Sequence, residues 1–183
     1  LTDFNTVPST NPYTGSPGFN DVQPNKRPRS SMNPTMIFSP DGTMLAFTRP
    51  GKANNDDVWV MTSNGKGQRN VTKTSPDDAN PDWTPDGSKI TYDVSGTTVF
   101  EVSPAGTGMA PLIPGGSEAS WSSTGKVVYS ATVEPSNSEI FVANADGSGG
   151  HNVTNAPGYD DDSAVWSPDG TKIAFVRFYG GAG

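Results

Sequence analysis

Nearly the same ten residues occur three times in this chain, and this repetition constrains the fold more than any other feature. The copies are FSPDGTMLAF at 38–47, WTPDGSKITY at 83–92 and WSPDGTKIAF at 166–175, and a shorter variant, WSSTGKVVY, begins at 121. Intervals of 45, 38 and 45 residues separate the opening aromatic residues Phe38, Trp83, Trp121 and Trp166. Self-similarity at a period of about 40–45 residues predicts a repeat architecture.

Four short strands, A to D, account for each repeat unit. Strand A carries the aromatic residue and ends at Pro-Asp-Gly or its variant, where Pro, Asp and Gly favour a tight turn. Strand B alternates apolar and polar residues, which is typical of a half-buried strand. A second block, aligned without gaps at 58–72, 99–113 and 140–154, supplies strand C, a Gly-rich turn and strand D. This four-stranded unit is the sequence pattern of a propeller blade.

The repeats resemble the WD40-like repeats of TolB-type β-propellers. The matching stretches are PDWTPDGSKITY, VWSPDGTKIAFV, DVWVMTSNGKGQRNVT and EIFVANADGSGGHNVT, and the resemblance extends over about 33–178. It implies a propeller, commonly six-bladed, in a secreted or periplasmic protein. It also implies a module that binds partner proteins or accompanies the catalytic domain of a hydrolase or lyase.

The predicted fold is all-β: a propeller-like array of four-stranded antiparallel blades, three complete and one half. The complete blades are expected at about 33–75, 80–114 and 119–156, and the half blade, with strands A and B only, at 164–178. A half blade leaves an unpaired strand edge, which invites a further strand. This additional strand has three possible sources: a longer parent chain, this chain's own N-terminus, or a neighbouring molecule. Because the sequence begins at Leu1 rather than Met, we expect a processed or cut product.

Residues 1–32 are predicted to form an extended arm rich in Pro, Asn and Ser. The arm has a net charge of +1 and the rest of the chain a net charge of −8. We expect the arm to dock on a neighbouring copy, and the alternative is an arm that folds back on its own body. The predicted assembly residues are Leu1, Phe4, Lys26, Arg27 and Arg29 of the arm and Phe175 and Phe178 of the half blade.

Acidic side chains concentrate at one end of the predicted blades, in the links between strands B and C and between strand D and the next strand A. Ca²⁺ takes 6–8 oxygen ligands in adaptable geometry and would neutralise such a cluster. The predicted ligands are Asp77 and Asp78 in one link and Asp160, Asp161 and Asp162 in another. Two alternatives stand: a solvated acidic rim without a specific ion, and neutralisation by the basic arm of a neighbour.

Residue types that perform catalysis are scarce in the sequence. The chain has no Cys and a single His, His151, which is predicted to be a surface residue of an outer strand. Carboxylate pairs are abundant, so the sequence does not refute glycosidase chemistry, but nothing singles out one pair. Trp83, Trp121 and Trp166 recur once per unit, which favours spacers between blades over sugar-binding platforms. The two NVT stretches match the glycosylation pattern, but their repeated strand position favours a structural role.

These observations predict a non-catalytic, exported module, extracellular or periplasmic, that binds proteins. The specific hypothesis is self-assembly into an oligomer or fibre through the arm and the half blade, with another exported protein as the other possible partner. The alternatives are a fragment or accessory propeller of a larger hydrolase or lyase, and a glycan-binding propeller. A net charge of −7 argues against nucleic acid as a partner, and no apolar run is long enough to span a membrane.

Overall fold

The computed structural model describes residues 36–51, 55–134 and 137–179, and these residues form fourteen β-strands and no helix. The first sheet comprises β1 (Met36–Phe38), β2 (Met44–Pro50), β3 (Asp56–Thr62) and β4 (Arg69–Asn70). The second comprises β5 (Asp78–Trp83), β6 (Ile90–Val94), β7 (Thr98–Val102) and β8 (Ala110–Pro114). The third comprises β9 (Gly116–Trp121), β10 (Val127–Glu134), β11 (Asn137–Ala143) and β12 (His151–Asn152). The fourth contains β13 (Tyr159–Trp166) and β14 (Ile173–Tyr179).

The strand topology confirms the predicted fold class. Within each sheet the strands follow chain order, and every neighbouring pair is antiparallel. Three sheets have four strands, and the fourth sheet has two among the described residues. Residues 36–179, apart from the two short undescribed gaps, therefore form three complete blades and one two-stranded blade.

The first strand of each later sheet begins earlier than the sequence predicted. β13 begins at Tyr159 rather than near 164, so Asp160, Asp161 and Asp162 lie inside a strand and not in a link. The reason is a β-bulge three residues before the tryptophan, where the backbone bends but pairing continues beyond the bend. The bulge residues are Asn80, Glu118 and Ser163, with φ of 50°, 53° and 56°.

The Pro-Asp-Gly turns are held by a side-chain network that explains the repeated motif. In the second sheet, Asp86 accepts hydrogen bonds from the Thr84 hydroxyl at 2.7 Å and from the backbone N–H of Ser88 at 3.0 Å. These donors lower the pKa of Asp86 to about 2. The same contacts recur around Asp41 and Asp169. The aspartate is therefore needed to close the turn.

The hydrophobic core lies between successive sheets, and we call each such interface a seam. The first seam, between the first and second sheets, buries Val58, Val60, Trp83 and Ile90. Trp121 and Trp166 pack at the second and third seams, respectively. The prediction that these tryptophans are spacers between blades is confirmed. Each fully buried Val or Ile contributes about 1.5–3 kcal/mol relative to an exposed one.

The turns between the third and fourth strands also interlock neighbouring sheets. A Cβ atom added to Gly147, in the third sheet, would lie 2.3 Å from the carbonyl oxygen of Leu112 in the second sheet. In the same way, a Cβ atom added to Gly106, in the second sheet, would lie 3.0 Å from the carbonyl oxygen of Val71, which follows the first sheet's last strand. Only glycine permits this approach of two backbones, because any side chain would push the sheets apart.

We predict that Gly147→Ala destabilises the protein much more than Gly125→Ala. Both glycines have a positive φ, 78° and 81°, so alanine costs about 1–2 kcal/mol of backbone strain at either position. At Gly125 nothing lies within 4 Å of the added Cβ, whereas at Gly147 the added Cβ clashes with Leu112. Urea denaturation of both variants measures the difference. Equal losses of unfolding free energy would contradict the interlocking of the second and third sheets.

Candidate functional site: the open fourth sheet and the acidic seams

The outer edge of β14 is unpaired within the described part of the chain. In the three complete sheets, the equivalent strands β2, β6 and β10 have a hydrogen-bonded neighbour on each side. β14 pairs only with β13. Among the residues that the structure describes, no strand pairs with its other edge, and unpaired backbone N–H and C=O groups are a template for an additional strand.

Large apolar side chains flank this open edge. Phe175 is 40% exposed, Phe178 is 56% exposed and Tyr179 is 79% exposed. The residue equivalent to Phe175 in the second sheet is Tyr92, which is fully buried. The structure thus places the predicted assembly residues Phe175 and Phe178 on an exposed apolar strand. The other predicted assembly residues, Leu1, Phe4, Lys26, Arg27 and Arg29, lie outside the described residues.

Arg177 organises the fourth sheet around a buried carboxylate. Its guanidinium donates two hydrogen bonds of 2.7 Å to the two oxygens of Asp161, which is fully buried. These bonds lower the pKa of Asp161. The same guanidinium lies 5.3 Å from the ring centroids of Tyr159 and Phe175. One arginine therefore neutralises Asp161 and orients the aromatic side chains of the open sheet.

The structure divides the predicted calcium ligands between two seams. Asp77, at the first seam, accepts the backbone N–H of Asp56 at 2.9 Å, and Asp160, at the third seam, accepts that of Ser138 at 3.0 Å. Asp162 accepts a hydrogen bond from the Ser138 hydroxyl at 2.7 Å. Among the described residues, no group of three or more His, Cys, Asp or Glu side chains is placed to hold a metal. The calcium site remains a prediction.

Sequence reasoning missed a set of carboxylates that bind the backbone of the next sheet. Asp93 accepts the backbone N–H of Glu118 with both oxygens, at 2.9 and 2.8 Å, across the second seam. Asp82 accepts the backbone N–H of Trp121 at 2.9 Å at the same seam. Glu118 in turn accepts the backbone N–H of Ser163 at 2.8 Å across the third seam. One feature of the sequence could have indicated this role: strand B of the second repeat unit ends with an acidic residue, Asp93.

Burial governs the protonation of the two carboxylates at the second seam. It raises the pKa of Asp82 to about 6, although the backbone N–H groups of Trp121 and Trp83 act in the opposite direction. It also raises the pKa of Asp93 to about 6, against the hydrogen bonds from Asn80 and Glu118. Both groups therefore take up protons in the folded state at mildly acidic pH.

Two shallow recesses of the described surface contain carboxylates that already have protein donors. One, of about 500 Å³, adjoins Phe141 and Pro157 and includes Glu139. Glu139 accepts hydrogen bonds from the Asn137 amide, the Thr154 hydroxyl and the backbone N–H of Ala156. This carboxylate connects β11 to the segment that follows β12.

Two further sequence-based expectations concern His151 and the membrane. His151 is exposed on the outer strand β12, so the prediction that it is an outer-strand surface residue is confirmed. Within the described ranges, the structure contains no helix of the length and apolarity that a membrane span requires.

Comparison with known proteins gives a match over most of the chain. The family model described as "TolB beta propeller domain" matches residues 25–181. A solved structure, the putative TolB from Agrobacterium tumefaciens, superposes with a TM-score of 0.69 at 21% identity. That superposition covers 79% of this chain and 54% of the other, and at this identity it shows the fold alone.

Curated relatives match over short stretches only. The glutathione hydrolase proenzyme of Bacillus subtilis (strain 168) is 47% identical over 53 residues, which are 29% of this chain and 8% of that protein. The Tol-Pal system protein TolB of Anaeromyxobacter dehalogenans (strain 2CP-C) is 40% identical over 47 residues, which are 26% of this chain and 11% of that protein. The chain thus matches about a tenth of the length of these relatives.

We predict that the protein becomes more stable as the pH falls from 7 to 5. The pKa values of Asp82 and Asp93 are raised from 3.8 to about 6 in the folded state, so the folded state binds more protons than the unfolded state in this window. Their protonation adds about 1–3 kcal/mol to the free energy of unfolding. Below pH 4 the stability falls again, because Asp86 and Asp161 have lowered pKa values.

Urea denaturation at pH 5, 6 and 7 measures this effect. The double variant Asp82→Asn, Asp93→Asn should lose most of the gain, and Asp160→Asn, at another seam, should keep it. A gain of the same size in the double variant would contradict the assignment.

Proposed function

Because this chain belongs to the TolB beta-propeller family, we propose that it is a non-catalytic, exported module that binds another protein through the outer edge of β14. The observation that carries the proposal is the open strand edge flanked by exposed Phe175, Phe178 and Tyr179. Strand addition supplies main-chain hydrogen bonds along such an edge, and the aromatic side chains supply apolar area. The localisation that fits this role is extracellular or periplasmic.

The partner in this proposal is a second copy of the same chain, which contributes its arm. Residues 33–183 carry a net charge of −8, and the arm contains the basic group Lys26, Arg27 and Arg29. Charge complementarity therefore favours an arm from one copy on the body of another. Repeated, this head-to-tail contact produces an oligomer or a fibre.

The absence of catalysis is part of the proposal and is supported by how the carboxylates are used. Asp161 is paired with Arg177, and Asp93 and Glu139 accept backbone and side-chain donors. A general acid or base requires a carboxylate that faces substrate rather than a structural donor.

A second candidate function is an accessory propeller of a larger hydrolase. The observation that favours it is the stretch of 53 residues shared at 47% identity with a glutathione hydrolase proenzyme, which is longer than one 45-residue repeat unit. An immunoblot of the source cells with an antibody against this chain separates the candidates. A band far larger than a 183-residue chain supports the accessory domain, and a band of that size supports the free module.

We predict that the 183-residue chain self-associates and that Phe178→Glu prevents this. A buried Phe side chain contributes about 1.5–3 kcal/mol, so its loss weakens association about 10–100-fold. Removal of residues 1–32 should also give a monomer. Light scattering after size-exclusion chromatography measures the mass at several concentrations.

The matched control is Val153→Glu, because Val153 is 43% exposed but follows the outer strand β12 of the third sheet. This variant should assemble like the unmodified chain. A monomeric unmodified chain, or unchanged assembly of Phe178→Glu, would refute the proposed interface.

A further inference from the structure

The first and third seams are built from equivalent residues and therefore allow an internal comparison. At the third seam, Asp161 lies directly opposite Arg177 in the pairing of β13 with β14. Glu139 of the preceding sheet is fully buried and close enough for its charge to raise the pKa of Arg177, after the larger effect of Asp161. Arg177 thus pairs directly with Asp161, and Glu139 lies outside the range of an ion pair.

The first seam keeps both carboxylates but lacks the guanidinium. Asp57 and Asp78 occupy the positions of Glu139 and Asp161. Asp78 is fully buried and Asp57 is 2% exposed. The residue opposite Asp78, in the pairing of β5 with β6, is Val94. No Lys or Arg of the described residues forms an ion pair with either carboxylate.

The two carboxylates at the first seam are both buried, and no cation among the described residues pairs with either. The first seam therefore has one positive charge fewer than its counterpart in the same chain.

Several buried oxygens at the first seam have no hydrogen-bond partner. They are Oδ1 of Asp78, Oδ1 of Asn55 and the hydroxyl of Tyr92. Asn55 is 7% exposed and the other two residues are fully buried. Thr74 connects the group, because its hydroxyl donates to Asp78 at 2.6 Å and its carbonyl accepts from Asn55 at 2.9 Å.

An oxygen-rich cage surrounds the Asn55 amide. Four oxygens lie within 3.3 Å of its Nδ2 atom: the carbonyls of Asp56, Thr74 and Pro76 and Oδ1 of Asp57. An amide NH₂ group has two hydrogens, so it satisfies at most two of these four acceptors well. If the Asn55 amide flips, its Oδ1 atom, which has no hydrogen-bond partner, takes the place of Nδ2 and faces the same four oxygens. A cage of carboxylate, amide and carbonyl oxygens is the ligand set that Ca²⁺ prefers.

We propose that the first seam binds one Ca²⁺ ion, which takes the place that the Arg177 guanidinium occupies at the third seam. The proposed ligands are Asp57, Asp78, Asn55 and the backbone carbonyls of Thr74 and Pro76. An all-oxygen set with two carboxylates suits a hard divalent cation and disfavours Zn²⁺ or Cu²⁺. The adaptable coordination of Ca²⁺ fits ligands from two sheets better than the rigid octahedron of Mg²⁺.

Of the two links in which a calcium site was predicted, only the one at the first seam would hold the ion. At the third seam, Arg177 already neutralises Asp161, and Asp160 and Asp162 accept hydrogen bonds from Ser138, so the proposal includes none of these three as ligands. At the first seam, Asp78 is a ligand, and Asp77 instead accepts the backbone N–H of Asp56. Because the ligands come from both sheets, the ion would join the first sheet to the second.

The test is thermal unfolding of the full chain, stripped with EDTA and titrated with CaCl₂. We expect the unfolding midpoint to rise by roughly 5–10 °C when Ca²⁺ reaches about 100 times its Kd. Asp78→Asn should abolish the rise, and Asp160→Asn, at the third seam, should preserve it. No rise in the unmodified chain, or the same rise in Asp78→Asn, would overturn the proposal. An equal rise with MgCl₂ or KCl would overturn the assignment to Ca²⁺.

Val94→Arg is the most specific variant, because it recreates the Asp161–Arg177 pair at the first seam. This variant should be insensitive to CaCl₂ and should unfold, without Ca²⁺, near the temperature of the calcium-loaded unmodified chain. If CaCl₂ raised the unfolding midpoint of Val94→Arg as much as that of the unmodified chain, the ion could not occupy the position of the introduced guanidinium. If Val94→Arg does not fold, the calcium responses of Asp78→Asn and Asp160→Asn are sufficient to test the proposal.

Discussion

Hydrogen bonds from backbone N–H groups of one sheet to carboxylates of its neighbour are the interaction on which this array depends. Sheets that stack face to face share no main-chain ladder, so apolar packing alone would leave their relative position loosely defined. Asp82 and Asp93 fix the second seam by accepting the N–H groups of Trp121 and Glu118. Hydrogen bonds to carboxylates are directional, so they set the register between sheets even though burial disfavours the charged form of Asp82 and Asp93.

The bulges make these contacts possible, and they also mark the limit of what the sequence could predict. The repeat period, the turns and the alternating strands follow from local chemistry, so the three complete sheets and the spacer tryptophans were predictable. The bulge residues Asn80, Glu118 and Ser163 share no residue type, and none is glycine, although all have positive φ. The backbone N–H groups of Glu118 and Ser163 are held by carboxylates of the preceding sheet, so no local pattern predicts these bulges, and the extension of β13 to Tyr159 was missed.

The alternation of long and short units has a structural consequence that the periodicity did not reveal. In the two long units with complete sheets, a threonine hydroxyl accepts the N–H of the third strand: Thr72 with Val58 at 3.1 Å and Thr154 with Ile140 at 3.0 Å. Asn70 of the first NVT stretch donates to Asp57 at 2.6 Å, which supports the structural role inferred for these stretches. The short unit has isoleucine, Ile113, at the threonine position. Carboxylate pairs therefore occur at the first and third seams, whereas the second seam uses Asp82 and Asp93.

The same requirement, neutralisation of a buried carboxylate pair, connects the proposed cation to the proposed partner. Arg177 meets this requirement at the third seam, but its side chain is 41% exposed, whereas Asp161 is fully buried. A strand added to β14 would cover Arg177, lower the local dielectric and strengthen its attraction to Asp161. The first seam has Val94 in the arginine's place. The proposed Ca²⁺ ion would supply the positive charge that this seam lacks.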